Sequence, residues 1–113
     1  MNSIIEKPWG YFQVLDTGKN FLIKKISVKP HGILSLQSHN YRSEHWTVVK
    51  GSAIIQIGDE IIQAFTEHNV EIGAGVKHRI SNETTEELII IEVQTGAMID
   101  EDGIIRYEDI YNR

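Results

Sequence analysis

The sequence has 113 residues, of which 11 are basic and 16 acidic, so that its formal net charge is −5, and 41% of its residues are hydrophobic. This length suits one domain, residues 1–113, and the acidic balance argues against a nucleic-acid surface, because phosphate backbones are bound by dense clusters of Lys and Arg. The sequence has no cysteine, which excludes disulfides and thiolate metal sites.

Short β-forming segments separated by turn residues predict an all-β fold. Gly, Asn and Asp recur between these segments without a helical period, which is typical of a β-sandwich or a small barrel. We predict strands at residues 11–15, 21–28, 33–37, 46–49, 53–57, 61–65, 70–72, 78–81 and 88–94. Gly58-Asp59 predicts a two-residue hairpin turn. The tail, "DEDGIIRYEDIYNR", could form a last strand or a short helix.

Four polar side chains could converge inside such a barrel. Gln37 and His39 are two residues apart and would share one face of a strand. Glu44 comes just before the predicted strand at 46–49, and His78 follows "GAGVK", whose glycines allow a tight bend. Two imidazoles, a carboxylate and an amide suit zinc, and also iron, manganese, cobalt or nickel. The alternative is that Gln37 and His39 are solvated groups at a strand edge.

Two groups of residues resemble the paired motifs of the cupin superfamily. The first motif is matched by Gly32, Gln37, His39, Glu44 and Gly51, with Gln37 where many cupins have a histidine. The second motif is matched by Gly75, His78 and Asn82. The resemblance implies a cupin-type double-stranded β-helix, a jelly-roll barrel.

The chain is most similar to one cupin branch, the cupin domain of type II phosphomannose isomerases, which is often fused to a mannose-1-phosphate guanylyltransferase. The matching stretches are "KPWGYFQVLD", "LSLQSHNYRSEHWTVVKGSA", "GAGVKHRISN" and "IEVQTGAMIDEDGIIRYEDIYNR". The resemblance implies a metal-dependent isomerase that interconverts mannose 6-phosphate and fructose 6-phosphate for polysaccharide biosynthesis. Its metal, expected to be zinc, would be bound by Gln37, His39, Glu44 and His78.

The implied reaction also needs a base and cations. A base must move a proton between C2 and C1 of the open-chain sugar, and the candidates are Lys24, His45 and Glu92. Arg42, between two proposed ligands, is the first choice for binding the phosphate, and we count Arg42 and Lys24 as catalytic. The further candidates for phosphate binding are Lys24, Lys77, Arg79 and Arg106. For each cation, the alternative is a solvated surface charge.

The chain also departs from the family pattern. Only His39 remains of the usual histidine-rich run, and Gly73 replaces the usual proline before "AGVKH". These 113 residues contain no nucleotide-binding loop, so we do not expect nucleotidyl transfer.

Two other functions stay open. One is a noncatalytic cupin that binds a sugar phosphate or nucleotide sugar as the partner of a separate guanylyltransferase. The other is a different cupin enzyme, such as an epimerase or an oxygenase, because the fold hosts many reactions.

The expected partners follow from composition and fold. The ligand would be a small phosphorylated sugar, and exposed strand edges predict a homodimer. The sequence lacks a signal peptide and a membrane helix, so we expect a cytoplasmic protein without nucleic-acid or membrane partners.

Overall fold

The computed structural model describes residues 3–97 and 104–111. Within these residues the chain forms eleven strands: β1 Ile4–Lys7, β2 Gly10–Gly18, β3 Phe21–Val28, β4 Leu36–His39, β5 Arg42–Lys50, β6 Ser52–Ile57, β7 Glu60–Phe65, β8 Asn69–Ile72, β9 His78–Ser81, β10 Leu88–Gly96 and β11 Ile104–Glu108. The described residues include no helix long and apolar enough to cross a membrane. The tail forms strand β11, while its residues 100–103 and 112–113 lie outside the described residues.

The strands form two antiparallel sheets. The large sheet has six strands in the order β1-β2-β3-β10-β5-β8, and the small sheet has five in the order β11-β4-β9-β6-β7. Strands that are distant in sequence are therefore neighbours, such as β5 with β10 and β4 with β9. The all-β prediction is confirmed.

The core lies between the sheets and is formed by alternate residues of the central strands. In β10, Leu88 and Ile90 are fully buried while Ile89 between them is only partly buried. Ile55 of β6 closes the core from the small sheet and is also fully buried. This period-two alternation is what the pleat of a half-buried strand requires.

The structure differs from the predicted strands most clearly at three places. Strand β1, Ile4–Lys7, was not predicted; its side chains are mostly exposed, and it pairs only with β2. The strand predicted at 33–37 is shifted to β4, because Ile33 makes only an isolated bridge to Ser81. Strand β5 begins at Arg42, four residues before the predicted start. It was underestimated because its first inward side chains, Arg42 and Glu44, are polar although they are buried.

The predicted hairpin is confirmed. Ile57 pairs with Glu60, so the turn between β6 and β7 has two residues. Gly58 has φ +59°, and nothing lies within 4 Å of the position that a Cβ would occupy there. This is the left-handed conformation that a tight hairpin requires.

Candidate metal centre

Three buried side chains from both sheets meet in the interior. His39 ends β4 and His78 begins β9, both in the small sheet, while Glu44 lies in β5 of the large sheet. One ligand atom from each of the three lies within 4.8 Å of the others. The structure thus brings together residues that are far apart in sequence.

The turn before His78 is attached to the end of β4. Gly75 has φ +82°, and its backbone N–H donates to the carbonyl oxygen of His39 at 2.7 Å. Gln37 is the ladder partner of His78. The bend predicted from "GAGVK" therefore positions the second histidine directly against the strand that carries the first one.

The contacts of the two imidazoles leave nitrogen atoms directed to the interior. The Nδ1 of His78 lies 3.0 Å from the carbonyl oxygen of Val76. Because a carbonyl only accepts, this Nδ1 carries the proton and Nε2 keeps its lone pair; that Nε2 lies 3.9 Å from Oε1 of Glu44. Nδ1 of His39 lies 3.3 Å from Oε2 of Glu44. The two rings stack with centroids 4.9 Å apart.

Burial keeps both histidines neutral. Burial, followed by the Arg42 charge, lowers the pKa of His39 to about 3. Burial also lowers the pKa of His78. A neutral imidazole has a lone pair to offer to a metal, whereas a protonated one has none.

Glu44 is held by two donors and lies beside a second carboxylate. Nε and Nη2 of Arg42 are both 3.0 Å from Oε2 of Glu44. The indole Nε1 of Trp46 donates to Oε1 of Glu44 and to Oε1 of Glu92, at 3.0 Å each. These contacts fix the orientation of the Glu44 carboxylate.

Two adjacent buried carboxylates cannot both be ionised cheaply. Burial, together with the neighbouring Glu92, raises the pKa of Glu44 well above its usual range. Burial acts to raise the pKa of Glu92 too, but Lys24 and hydrogen bonds from its neighbours outweigh that effect and lower it. The negative charge that remains on the Glu44–Glu92 pair must therefore be compensated at this position by a cation or a proton.

The donor set fits a divalent cation. Nε2 of His39 is buried and has no hydrogen-bond partner within residues 3–97 and 104–111, a condition that a ligand bond to a metal would relieve. Ligand bonds of about 2 Å place donors on one ion about 3–4 Å apart, close to the observed spacing. Gln37 borders the same space, and its amide nitrogen donates to Ser35 Oγ at 2.9 Å.

The cavity around these residues carries more basic than acidic groups. Its charged lining residues are Lys7, Lys24, Arg42, Glu44, Arg79, Glu92 and Arg106. Five cations against two carboxylates, in a chain of net charge −5, make this a local positive region that would attract an anion.

The predicted phosphate-binding residues differ in their contacts and in whether they line the cavity. Arg42 contacts Glu44, as described above. Arg79 donates from Nε to the Leu34 carbonyl and from Nη1 and Nη2 to Glu108. Lys77 is exposed, lies 4.2 Å from the Tyr107 ring centroid and is not among the residues that line the cavity.

The remaining candidates are distributed over both faces of the large sheet and over β11. Arg106 is exposed and borders the cavity opposite Gln37 in the β11–β4 ladder. Among the base candidates, Lys24 and Glu92 face the cavity, with the Lys24 Nζ 3.9 Å from Glu92 Oε2. His45 is exposed on the opposite face of β5.

Sequence reasoning missed three polar participants. Lys7 lines the cavity although its strand was not predicted. Trp46 packs in the core, and its indole N–H also bridges two carboxylates. Gln94 donates to Glu92 at 2.6 Å. The available signal was "LIIIEVQTG", in which Glu92 and Gln94 alternate on the inward face of an apolar strand.

Solved structures similar to this one have the double-stranded β-helix fold. An uncharacterized conserved protein with a double-stranded β-helix domain from Klebsiella pneumoniae matches with a TM-score of 0.75 at 17% identity, over 86% of this chain and 83% of that chain. Oxalate decarboxylase from Bacillus subtilis matches with a TM-score of 0.82 at 19% identity, over 93% of this chain and 30% of that one. The predicted cupin-type fold is confirmed.

The similar sequences belong to much longer proteins. The xanthan biosynthesis protein XanB of Xanthomonas campestris pv. campestris is 43% identical over 96% of this chain and 23% of its own length. The alginate biosynthesis protein AlgA of Pseudomonas syringae pv. tomato is 41% identical over 96% of this chain and 23% of its length. The mannose-1-phosphate guanylyltransferase ManC of Salmonella typhimurium is 36% identical over 100% and 24%. This chain therefore spans less than a quarter of these relatives.

The prediction that this chain is itself an isomerase of mannose 6-phosphate and fructose 6-phosphate is wrong. The relatives are named as a guanylyltransferase or as polysaccharide biosynthesis proteins. They share with this chain only one segment of a longer polypeptide, and an activity of the whole protein does not pass to that segment. The other possibility, a noncatalytic partner of a separate guanylyltransferase, stays a prediction; in ManC the similar segment is part of the protein so named.

A family model gives the most direct classification. The model described as "Mannose-6-phosphate isomerase C-terminal" matches residues 1–109, which include every residue of the candidate metal centre and its cavity. The chain belongs to the mannose-6-phosphate isomerase C-terminal family, whose fold here is a cupin-type double-stranded β-helix.

Proposed function

We propose that this domain binds a divalent cation through His39, Glu44 and His78, with Gln37 beside them, and that the occupied site binds a phosphorylated hexose. The observation that supports the proposal is that three buried side chains bring one potential ligand atom each to within 4.8 Å of the others. One of them, His39, has a nitrogen, Nε2, without a hydrogen-bond partner in the described part of the chain. Zinc is the expected metal, because a mixed set of imidazole and carboxylate suits it.

The chemistry of the cavity and the names of the relatives support the ligand. The cavity has an excess of basic side chains, which suits an anionic group. The family description names mannose 6-phosphate, and a relative is named for mannose 1-phosphate. A bound divalent cation would supply a Lewis-acidic centre for oxygen atoms of the sugar, while the protein's own cations would bind its phosphate.

The metal proposal is tested by calorimetric titration of the metal-free protein with zinc. We expect one ion per chain for the natural sequence and no high-affinity binding for His39→Ala, because a ligand is removed. His31→Ala is the matched control, since His31 is exposed in a turn. Equal zinc affinity of both variants would show that His39 is not a ligand.

The ligand proposal is tested by titrating mannose 6-phosphate into the zinc-loaded protein and into protein kept in a chelator. We expect binding in the first case and much weaker binding in the second. Equal affinity in both conditions would show that sugar binding does not depend on the metal, and no binding in either condition would refute the proposal.

The homodimer stays a prediction, which light scattering tests against the 12.9 kDa mass of one chain.

A further inference from the structure

We infer that Lys7 and Lys24, whose ammonium groups both approach the ring of Phe12, form the subsite that binds the phosphate group of the ligand. The inference rests on the proposed function, because it takes the ligand to be a phosphorylated hexose. Lys7 is the new residue: it begins the matching stretch "KPWGYFQVLD", but no role was predicted for it.

The geometry brings two ammonium groups to one aromatic ring. The Nζ of Lys24 lies 4.4 Å from the Phe12 ring centroid and the Nζ of Lys7 lies 5.8 Å from it. Lys7, Phe12 and Lys24 come from the three consecutive strands β1, β2 and β3 at one side of the large sheet. All three line the cavity that contains the candidate metal ligands.

The charges at this position call for an anion. The face of an aromatic ring attracts a cation but does not neutralise it, so Phe12 compensates the charge of neither ammonium group. Lys24 lies 3.9 Å from Glu92, and no ion pair of Lys7 occurs within the described residues. A phosphate dianion placed between the two lysines would compensate both charges and accept hydrogen bonds from both.

Two of the cavity's other cations already have protein acceptors. The Nε and Nη2 of Arg42 contact Glu44, and Nε, Nη1 and Nη2 of Arg79 contact Leu34 and Glu108. Using either arginine for phosphate would exchange these contacts. Arg106, on β11 of the small sheet, also borders the cavity, and Arg106→Gln is therefore compared directly with Lys7→Gln.

The inference is tested by NMR titration of the zinc-loaded protein with mannose 6-phosphate and with mannose. The ratio of the two affinities measures the contribution of the phosphate. We expect Lys7→Gln to lower this ratio about tenfold, the usual scale for losing one charge-assisted contact, while mannose binds unchanged. Lys77→Gln is the matched control, because Lys77 lies outside the cavity, and it should leave the ratio unchanged.

Two results would overturn the inference. One is a ratio unchanged in Lys7→Gln while Arg106→Gln lowers it, which would place the phosphate at β11. The other is an equal loss for Lys7→Gln and the Lys77→Gln control, which would indicate a general effect of charge. Circular dichroism of each variant verifies its fold. Lys7→Gln is the primary variant and Lys24→Gln the secondary one, because removing the Lys24 charge also affects Glu92.

Failure of the proposed function gives a different pattern. If the natural protein does not bind mannose 6-phosphate at all, the sugar is wrong, and inorganic phosphate then tests the subsite alone. We expect shifts confined to strands β1 to β3 that disappear in the Lys7→Gln and Lys24→Gln double variant. Shifts elsewhere, or shifts that persist in this variant, would exclude a phosphate site at Phe12.

Discussion

The inward face of β5 combines packing with polar contacts at a single side chain. Trp46 is 2% exposed and belongs to the hydrophobic core, yet its N–H is shared by the carboxylates of Glu44 and Glu92. A residue that would be taken as core from its sequence pattern therefore also orients a candidate metal ligand. Its conservative replacement separates these two roles.

We expect Trp46→Phe to destabilise the protein by about 1–3 kcal/mol, because two buried carboxylate oxygens lose their donor. Zinc affinity should also fall, since Glu44 is no longer held. Trp9→Phe is the control: Trp9 is equally a buried core tryptophan, but no hydrogen bond from it to Glu44 occurs in the described residues. Urea denaturation and zinc titration check the two effects, and an equal loss of zinc affinity in both variants would contradict the assigned role.

A second residue, Glu87, gives a prediction for pH dependence. The hydroxyl of Ser27 donates to Glu87, and this bond is the main reason why the pKa of Glu87 is lowered. A lowered folded-state pKa means that the ionised form stabilises the fold. The stabilisation is therefore present above the unfolded-state pKa and is lost as pH falls through the folded-state value.

We expect Ser27→Ala to cost up to about 1 kcal/mol at pH 7, a small value because Glu87 is partly exposed. The difference from the natural protein should shrink as the pH falls from about 5 to about 3. Urea denaturation across this range measures it. Ser43→Ala, which loses only a contact to the Thr95 hydroxyl, should show no such trend, and a pH-independent cost of Ser27→Ala would contradict the explanation.

At the scale of elements, the junction between β5 and β6 depends on a glycine. Gly51 has φ +85°, and a Cβ there would meet the Glu87 carbonyl oxygen at 2.8 Å. We expect Gly51→Ala to destabilise by about 2–4 kcal/mol, because the left-handed conformation and a backbone clash both add to the cost. Thermal unfolding measures the loss.

Gly58→Ala is the control for Gly51→Ala. Gly58 also has a positive φ, but nothing lies within 4 Å of the position of its Cβ. Its cost should therefore be only the conformational term, about 1 kcal/mol. Equal losses at the two glycines would show that the close approach to Glu87 has no energetic weight.

The strands and the ligand spacing could largely be predicted from sequence, because both are local patterns. Alternating apolar residues located most strands, and the motif spacing selected Gln37, His39, Glu44 and His78 as candidate ligands. The structure brings the last three of these together. The lining of the cavity could not be predicted, because it depends on which strands become neighbours. Lys77 is adjacent to His78 in sequence and lies outside the cavity, whereas Lys7 lines it only because β1 pairs with β2 beside β3.

At the scale of the whole molecule, the candidate ligands connect the two sheets, with His39 and His78 in the small sheet and Glu44 in the large one. A ligand that binds only the folded state stabilises it, by about 2.7 kcal/mol at roughly one hundred times its dissociation constant. We therefore expect zinc at that concentration to raise the melting temperature by about 10 °C.

The melting experiment has its own control. His78→Ala should remove the zinc-dependent shift, while His68→Ala should keep it, because His68 is exposed and its Nδ1 accepts a bond from the Phe65 backbone. A shift of the same size in both variants would show that zinc stabilises the fold from another position.

The division of the candidate ligands between two sheets means that the complete set exists only in the assembled barrel. His39 and His78 are separated by 38 intervening residues, and Glu44 meets them from the opposite sheet. A chain whose sheets are apart thus offers at most a fragment of the set. Under the proposed function, zinc loading therefore reports whether a newly made molecule has assembled both sheets.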